Sequence, residues 1–143
     1  MKRKTVTRFM NLFQGYQQAH GQYRVQKREA DGKMSGRAVT VSEPAKEEHF
    51  QNHLNGGEYI LGIIMLKDDN SCNFGVIDID IRGEVKLKDT LDELEKKIRD
   101  TPLVMCRSKS GGAHLYLFCE PAIAAIDMVS KLNEFAAGLG YGG

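Results

Sequence analysis

Phe74-Gly-Val-Ile-Asp-Ile-Asp-Ile81 is the stretch on which the reading of this chain turns. It has the β-branched, apolar character of a strand. In an extended chain alternate side chains share a face. Asp78 and Asp80 therefore stand side by side, while Ile77, Ile79 and Ile81 point the other way. Two neighbouring carboxylates on an otherwise apolar strand are costly unless something positive lies between them. A divalent cation is the natural partner. An Asp-x-Asp alone is common in surface turns; inside Val-Ile-Asp-Ile-Asp-Ile, with no flanking polar residue, it is far more specific.

Further along, the chain reads Arg107-Ser-Lys-Ser-Gly-Gly-Ala-His114 and continues as Leu-Tyr-Leu-Phe118. Gly111 and Gly112 allow backbone N–H groups to approach an anion without side-chain obstruction. Ser108 and Ser110 bring hydroxyls, and Arg107 and Lys109 bring fixed positive charge. If Leu115 and Leu117 face a helix layer, then His114, Tyr116 and Phe118 face the opposite way, as do Asp78 and Asp80 if Ile77 and Ile79 face the helices. Acids, turn and histidine then line one groove. Such a turn suits a triphosphate, with Mg²⁺ or Mn²⁺ held by the acids against the same phosphates, because hard cations prefer carboxylate and phosphate oxygens. Singly, each piece has a plainer meaning: Ser-Gly-Gly is usually a hairpin turn, His114 a structural histidine, and Tyr116 and Phe118 core. Their occurrence in this order carries the reading.

The remaining patterns supply a frame. Val6, Phe9, Met10 and Phe13 repeat at helical spacing, and Gly15 follows. Tyr23–Gln26 and Arg37–Val41 read as short strands. Ser42 is a candidate cap for a helix over Pro44–Leu54, ended by Asn55-Gly-Gly57. Ile60–Leu66 reads as a buried strand pairing with Phe74–Asp80 through the polar turn Lys67–Asn73, in which Cys72 is incidental. Thr90-Leu-Asp-Glu93 has the form of a capping box, and Leu87, Leu91, Leu94 and Ile98 form one stripe. Leu103–Arg107 and His114–Phe118 read as a hairpin. Pro121 opens a last helix, with Ala122, Ala125, Ile126, Val129, Leu132 and Ala136 on its buried side. His20, His49 and His53 read as surface residues; His49 and His53 share a helical face but no third ligand stands out. From residue 60 the order is β-β-α-β-β-α. We therefore expect an α+β fold, an antiparallel or mixed sheet of two hairpins with helices on one face, as a single domain over 1–143. Residues 1–57 form a helical and irregular section, and 58–140 the sheet with both motifs.

Bulk properties bound the function. The chain of 143 residues is long enough for a core, and at 41% hydrophobic and 27% charged it reads as soluble and globular rather than disordered. A net charge of +1 does not mark a nucleic-acid binder, although residues 1–9 and Arg24, Lys27, Arg28, Lys33 and Arg37 make the front half locally basic. Taken alone, that basicity is more simply solvated surface. Three cysteines without paired spacing, and no long apolar run, point to an intracellular, reducing location without a membrane anchor or a zinc motif.

The hydrophobic-Asp-hydrophobic-Asp strand, followed by a Ser-x-His-like element at the head of a later strand, resembles the archaeo-eukaryotic primase superfamily. In particular it is similar to the primase domain of TOTE-type conflict systems and related phage or plasmid proteins. Phe9-Met-Asn-Leu-Phe-Gln-Gly15, Leu61–Asp80 and Arg107–Phe118 carry the resemblance, which spans most of the chain. It implies an RRM-like primase core and a template-dependent nucleotidyltransferase that makes primers or extends DNA from nucleoside triphosphates. It also implies two divalent cations on Asp78 and Asp80, and a triphosphate held by Ser110 and His114 with Arg107 and Lys109 as helpers. DNA template and primer are the implied partners, with a helicase or a further C-terminal domain supplied elsewhere. A third metal-binding acid is expected from a later strand; Glu120 and Asp127 do not fit that place, so the chain reads as the N-terminal part of such a catalytic domain. Two other readings stay open: an RRM-like nucleic-acid-binding module without catalysis, and a metal-dependent phosphodiesterase using Asp78, Asp80 and His114.

Overall fold

The computed structural model describes residues 2–30, 34–81, 84–109 and 111–141. Ser110 lies outside the described residues. The fold is α+β, as the sequence predicts; the described residues form four helices and two three-stranded sheets. It divides into two compact units, Met1–Asn73 and Phe74–Gly143.

The first unit holds α1 (Arg3–Leu12), β1 (His20–Arg28), β2 (Met34–Val41), α2 (Glu47–Leu54) and β3 (Ile60–Gly62). Its sheet runs β2-β1-β3, with both pairings antiparallel. Helix α1 packs on α2 through its predicted stripe: Val6 is buried, and the Phe9 ring meets Phe13 at 4.5 Å and Phe50 at 6.3 Å. Gly15 is needed for close approach, because a methyl group there would overlap Ile64 O; the neighbouring Tyr16 N–H donates to that carbonyl at 2.8 Å.

Three expectations fail in this unit. Ile60–Leu66 is not a buried strand paired with the acidic one. Only Ile60–Gly62 is strand, it pairs with β1, and Ile64, Met65 and Leu66 are exposed. The strand breaks where residues 63 and 64 turn to meet the Gly15–Tyr16 segment. Ser42 does not cap α2, which starts at Glu47 behind Lys46; the Lys46 N–H is taken up by His49 Nδ1 at 2.8 Å. His20 and His49 are buried rather than exposed, and half-buried His53 accepts the Leu61 N–H at 3.1 Å. Burial lowers the His53 pKa, keeping the ring a neutral acceptor.

The division between units falls within β4 (Ser71–Ile79), which is followed by α3 (Glu84–Ile98), β5 (Val104–Arg107), β6 (Ala113–Ala124) and α4 (Ala125–Leu139). The sheet order is β4-β6-β5. The β5–β6 hairpin forms as predicted, with Val104 opposite Tyr116 and Arg107 opposite Ala113. β6 rather than β3 is the partner of β4, and Asp78 beside His114 with Phe74 beside Phe118 sets the two strands antiparallel. Helix α4 packs on β6 and α3 packs on α4. Gly75 admits α4 closely: a methyl group there would lie 2.7 Å from Leu132 Cδ1 and 2.8 Å from Met128. Leu94, Ile98, Leu115, Leu117, Met128 and Leu139 form the core.

Local boundaries again differ from expectation. Thr90 lies inside α3 rather than at its start, because good helix formers from Glu84 onward extend the helix upstream. β6 runs through Pro121 to Ala124, past the end of its pairing with β5, where a missing N–H is tolerated. On α4, Met128 and Leu139 are buried and the expected Ala125, Leu132 and Ala136 half-buried, as is Ala122 just before it, while Ile126 and Val129 are exposed; contact of both Met128 and Leu132 with Gly75 turns the buried side away from Ile126 and Val129. Cys72 is a buried residue of β4 rather than part of a turn.

Leu94 is 1% exposed, so Leu94→Ala should cost about 3 kcal/mol through lost burial and an unfilled cavity. Chemical denaturation measures this, and a change below about 1 kcal/mol would contradict the packing described.

Candidate active site

Alternation holds along the first half of β6 and at the acidic end of β4. On β6, Leu115 and Leu117 are buried, whereas His114, Tyr116 and Phe118 are half-buried on the other face. On β4, Ile79 is buried between exposed Asp78 and Asp80. The β4–β6 pairing brings His114 Nε2 to 3.5 Å from Asp78 Oδ1, with the two side chains 32% and 67% exposed. Asp80 follows the last residue of β4, and its side chain is open to solvent.

A row of rings runs away from this pair along the same face. His114 and Tyr116 meet edge to face at 5.9 Å. Tyr116 and Phe118 lie nearly parallel, 20° apart with centroids at 5.9 Å. Buried Phe74 adjoins both, at 6.4 Å and 6.1 Å. The Tyr116 hydroxyl is 3.3 Å from His114 Nδ1. Burial, then the charges of Cys106 and Asp78, push the phenol above its ordinary pKa, so it keeps its proton at neutral pH. With that hydroxyl donating to Nδ1, a neutral His114 carries its own proton on Nε2 and directs it toward Asp78.

The turn after β5 is built against the acidic strand. It closes through Ser108 N–H donating to Gly112 O at 3.0 Å and Gly111 N–H donating to Ser108 O at 3.2 Å. Gly111 takes φ +94°, a conformation that L side chains rarely adopt. Gly112 is buried, and a methyl group there would overlap Ile79 O and lie 3.4 Å from Ile81 N. Only glycine lets the turn rest on the β4 backbone between the two acids. Arg107 and Lys109 are exposed and Ser108 is half-buried at the turn's entrance. The structure thus brings together Asp78, His114, Gly112 and, through Ile79 and Ile81, the backbone flanking Asp80. The chemistry of this donor set, two solvent-facing carboxylates, suits a hydrated hard cation.

A second grouping was not legible in the sequence. Among the described residues, one set of three metal-capable side chains has its ligand atoms all within 4.8 Å of one another: His20, Glu43 and His49. The helical spacing of His49 and His53 gives no hint of it. His49 turns toward His20, which the hairpin of β1 and β2 brings opposite Val41, two residues before Glu43.

Among the described residues no helix is long and apolar enough to cross a membrane. No curated protein sequence matches the chain. The family model of the archaeo-eukaryotic primase domain of the TOTE conflict system matches residues 4–136, which include every residue of both motifs. The chain therefore belongs to the archaeo-eukaryotic primase domains of the TOTE type, a family of primase-type nucleotidyltransferases.

Proposed function

We propose that this chain carries the metal- and nucleotide-binding face of a template-dependent primase or primase-polymerase, extending a DNA primer or starting one from nucleoside triphosphates. The observation that carries the reading is the seating of Gly112 on the backbone of Ile79, which supports an anion-binding role for a turn beside a pair of carboxylates. Asp78 and Asp80 would hold Mg²⁺ or Mn²⁺. Two such cations, when bound, supply charge that stabilises the attacking and the leaving oxygen of an in-line displacement.

The chain's own groups do the rest. Arg107 and Lys109 attract the triphosphate and offset its charge. The Ser108–Gly112 turn, with the Ser110 hydroxyl, receives its oxygens. The Nε2 proton of His114, fixed by the Tyr116 hydroxyl at the other nitrogen, is offered to a phosphate oxygen once nucleotide enters between it and Asp78. A primer 3′-hydroxyl, or that of an initiating nucleotide, then attacks the α-phosphate and pyrophosphate leaves. Aromatic base-stacking on an open sheet is less well supported, because Tyr116 and Phe118 lie against each other and against buried Phe74.

Asp78→Ala should lower metal-dependent nucleotide incorporation by ~10²-fold or more, in line with removal of a charged group at a transferring phosphoryl centre. Unchanged incorporation by the folded variant would sink the assignment, and release of a nucleoside monophosphate instead of pyrophosphate would identify a phosphodiesterase. Nucleotide binding should also strengthen with Mg²⁺ or Mn²⁺; indifference to metal would favour a plain binding module.

Gly112→Ala should weaken nucleotide binding at least ~10-fold by lifting the turn off β4. Gly111→Ala, whose added methyl meets nothing within 4 Å, should instead cost roughly 1 kcal/mol of stability through its φ and disturb binding less. Equal binding by Gly112→Ala and the unchanged chain would contradict the role given to this contact.

A further inference from the structure

His20, Glu43 and His49 come from three elements of the first unit: the start of β1, the segment after β2 and the first turn of α2. His20 is fully buried and His49 nearly so, while Glu43 is half-buried. The two imidazoles lie 4.4 Å apart, centroid to centroid, at 38°. His20 Nδ1 is 2.8 Å from the carbonyl oxygen of Glu43. A carbonyl only accepts, so Nδ1 carries the proton and Nε2 presents a lone pair. That is how a ligating histidine is usually held: one ring nitrogen donates to a fixed acceptor and the other faces the metal. His49 Nε2 lies 3.4 Å from the Glu43 carboxylate, and the Gln22 amide lies 3.2 Å from His20 Nε2.

We propose that this cluster is a second metal site, for a borderline-soft transition ion such as zinc, which clasps the β1–β2 hairpin to the start of α2. Two imidazole nitrogens and a carboxylate oxygen form a donor set that zinc favours and magnesium does not. Water or the Gln22 carbonyl oxygen completes the fourth position; the amide needs only to turn its oxygen toward the cluster. Binding displaces the Gln22 amide N–H from His20 Nε2 and rearranges His49. In the metal-free arrangement His49 Nδ1 accepts the Lys46 N–H, so its ring proton sits on Nε2. For Nε2 to ligate, that proton moves to Nδ1 and the Lys46 N–H turns to solvent, with no net proton released. These two hydrogen bonds, one of them at a half-exposed helix start, are small against buried metal–imidazole bonds. The site is chemically distinct from Asp78 and Asp80, whose all-oxygen set suits hard cations, and it stands whether or not the polymerase reading does.

The test uses the full chain, stripped with a chelator and titrated with Zn²⁺ by calorimetry and with Co²⁺ by visible absorption. The account expects one equivalent of metal bound, intense Co²⁺ bands of low coordination number, and a raised thermal midpoint with zinc. Glu43→Gln and His49→Gln, chosen because His20 is too deeply buried to alter safely, should each weaken binding at least ~10-fold, whereas Asp78→Ala should leave it unchanged. Circular dichroism checks that each variant is folded, and a double Glu43→Gln, His49→Gln variant with unaltered circular dichroism should bind no Co²⁺. Absence of saturable binding to the unaltered chain, binding insensitive to both substitutions, or loss of binding in Asp78→Ala would each overturn the proposal.

Discussion

The contact between Gly112 and the backbone of Ile79 is the constraint on which the candidate site depends. β4 and β6 are neighbours in the sheet, and that alone would set His114 beside Asp78. What the glycine adds is the turn: with no Cβ at 112, the loop after β5 comes down onto the end of β4 instead of standing off from it. Any side chain at that position meets main-chain atoms, which cannot step aside as a flexible side chain would. Gly75 plays an equivalent part nearer the start of β4, where α4 closes on the sheet through Met128 and Leu132.

Polar groups on this face are ordered by the same geometry. Tyr116, His114 and Asp78 lie in a line: the phenol, whose pKa is raised by burial and neighbouring negative charge, is hydrogen-bonded to His114 Nδ1, and His114 Nε2 lies 3.5 Å from a carboxylate largely in water. The buried end of the line gives the ring a fixed orientation, and the exposed end leaves the carboxylate accessible. A site for a hydrated, charged ligand needs both, since a histidine free to rotate orients nothing and a buried carboxylate excludes the cation.

How much of this was legible in the sequence depended on whether the signal was local. Alternation along Phe74–Asp80 and His114–Phe118 placed Leu115, Leu117 and Ile79 inside and His114, Asp78 and Asp80 outside, because period-two patterning is a property of one strand. Strand pairing is not local, so β3 was given the wrong partner: nothing in Ile60–Leu66 reveals that it breaks after Gly62 to meet Gly15 and Tyr16. On α4, Ile126 and Val129 are exposed and Met128 is buried for a related reason: the helical period admits a small rotation of the buried side, and only tertiary contact fixes it. The His20–Glu43–His49 cluster was the least legible, since its members share no motif spacing and are joined only when the hairpin and α2 come together.

On the proposed reading, one face of the second unit binds a metal–triphosphate pair. A crystal of the chain grown with Mn²⁺ and a non-hydrolysable nucleoside triphosphate tests it most directly, by anomalous scattering. Manganese is expected between Asp78 and Asp80, with phosphate oxygens on the 107–112 turn and within hydrogen-bonding reach of His114. Ordered nucleotide bound elsewhere, with no manganese at the two carboxylates, would contradict it.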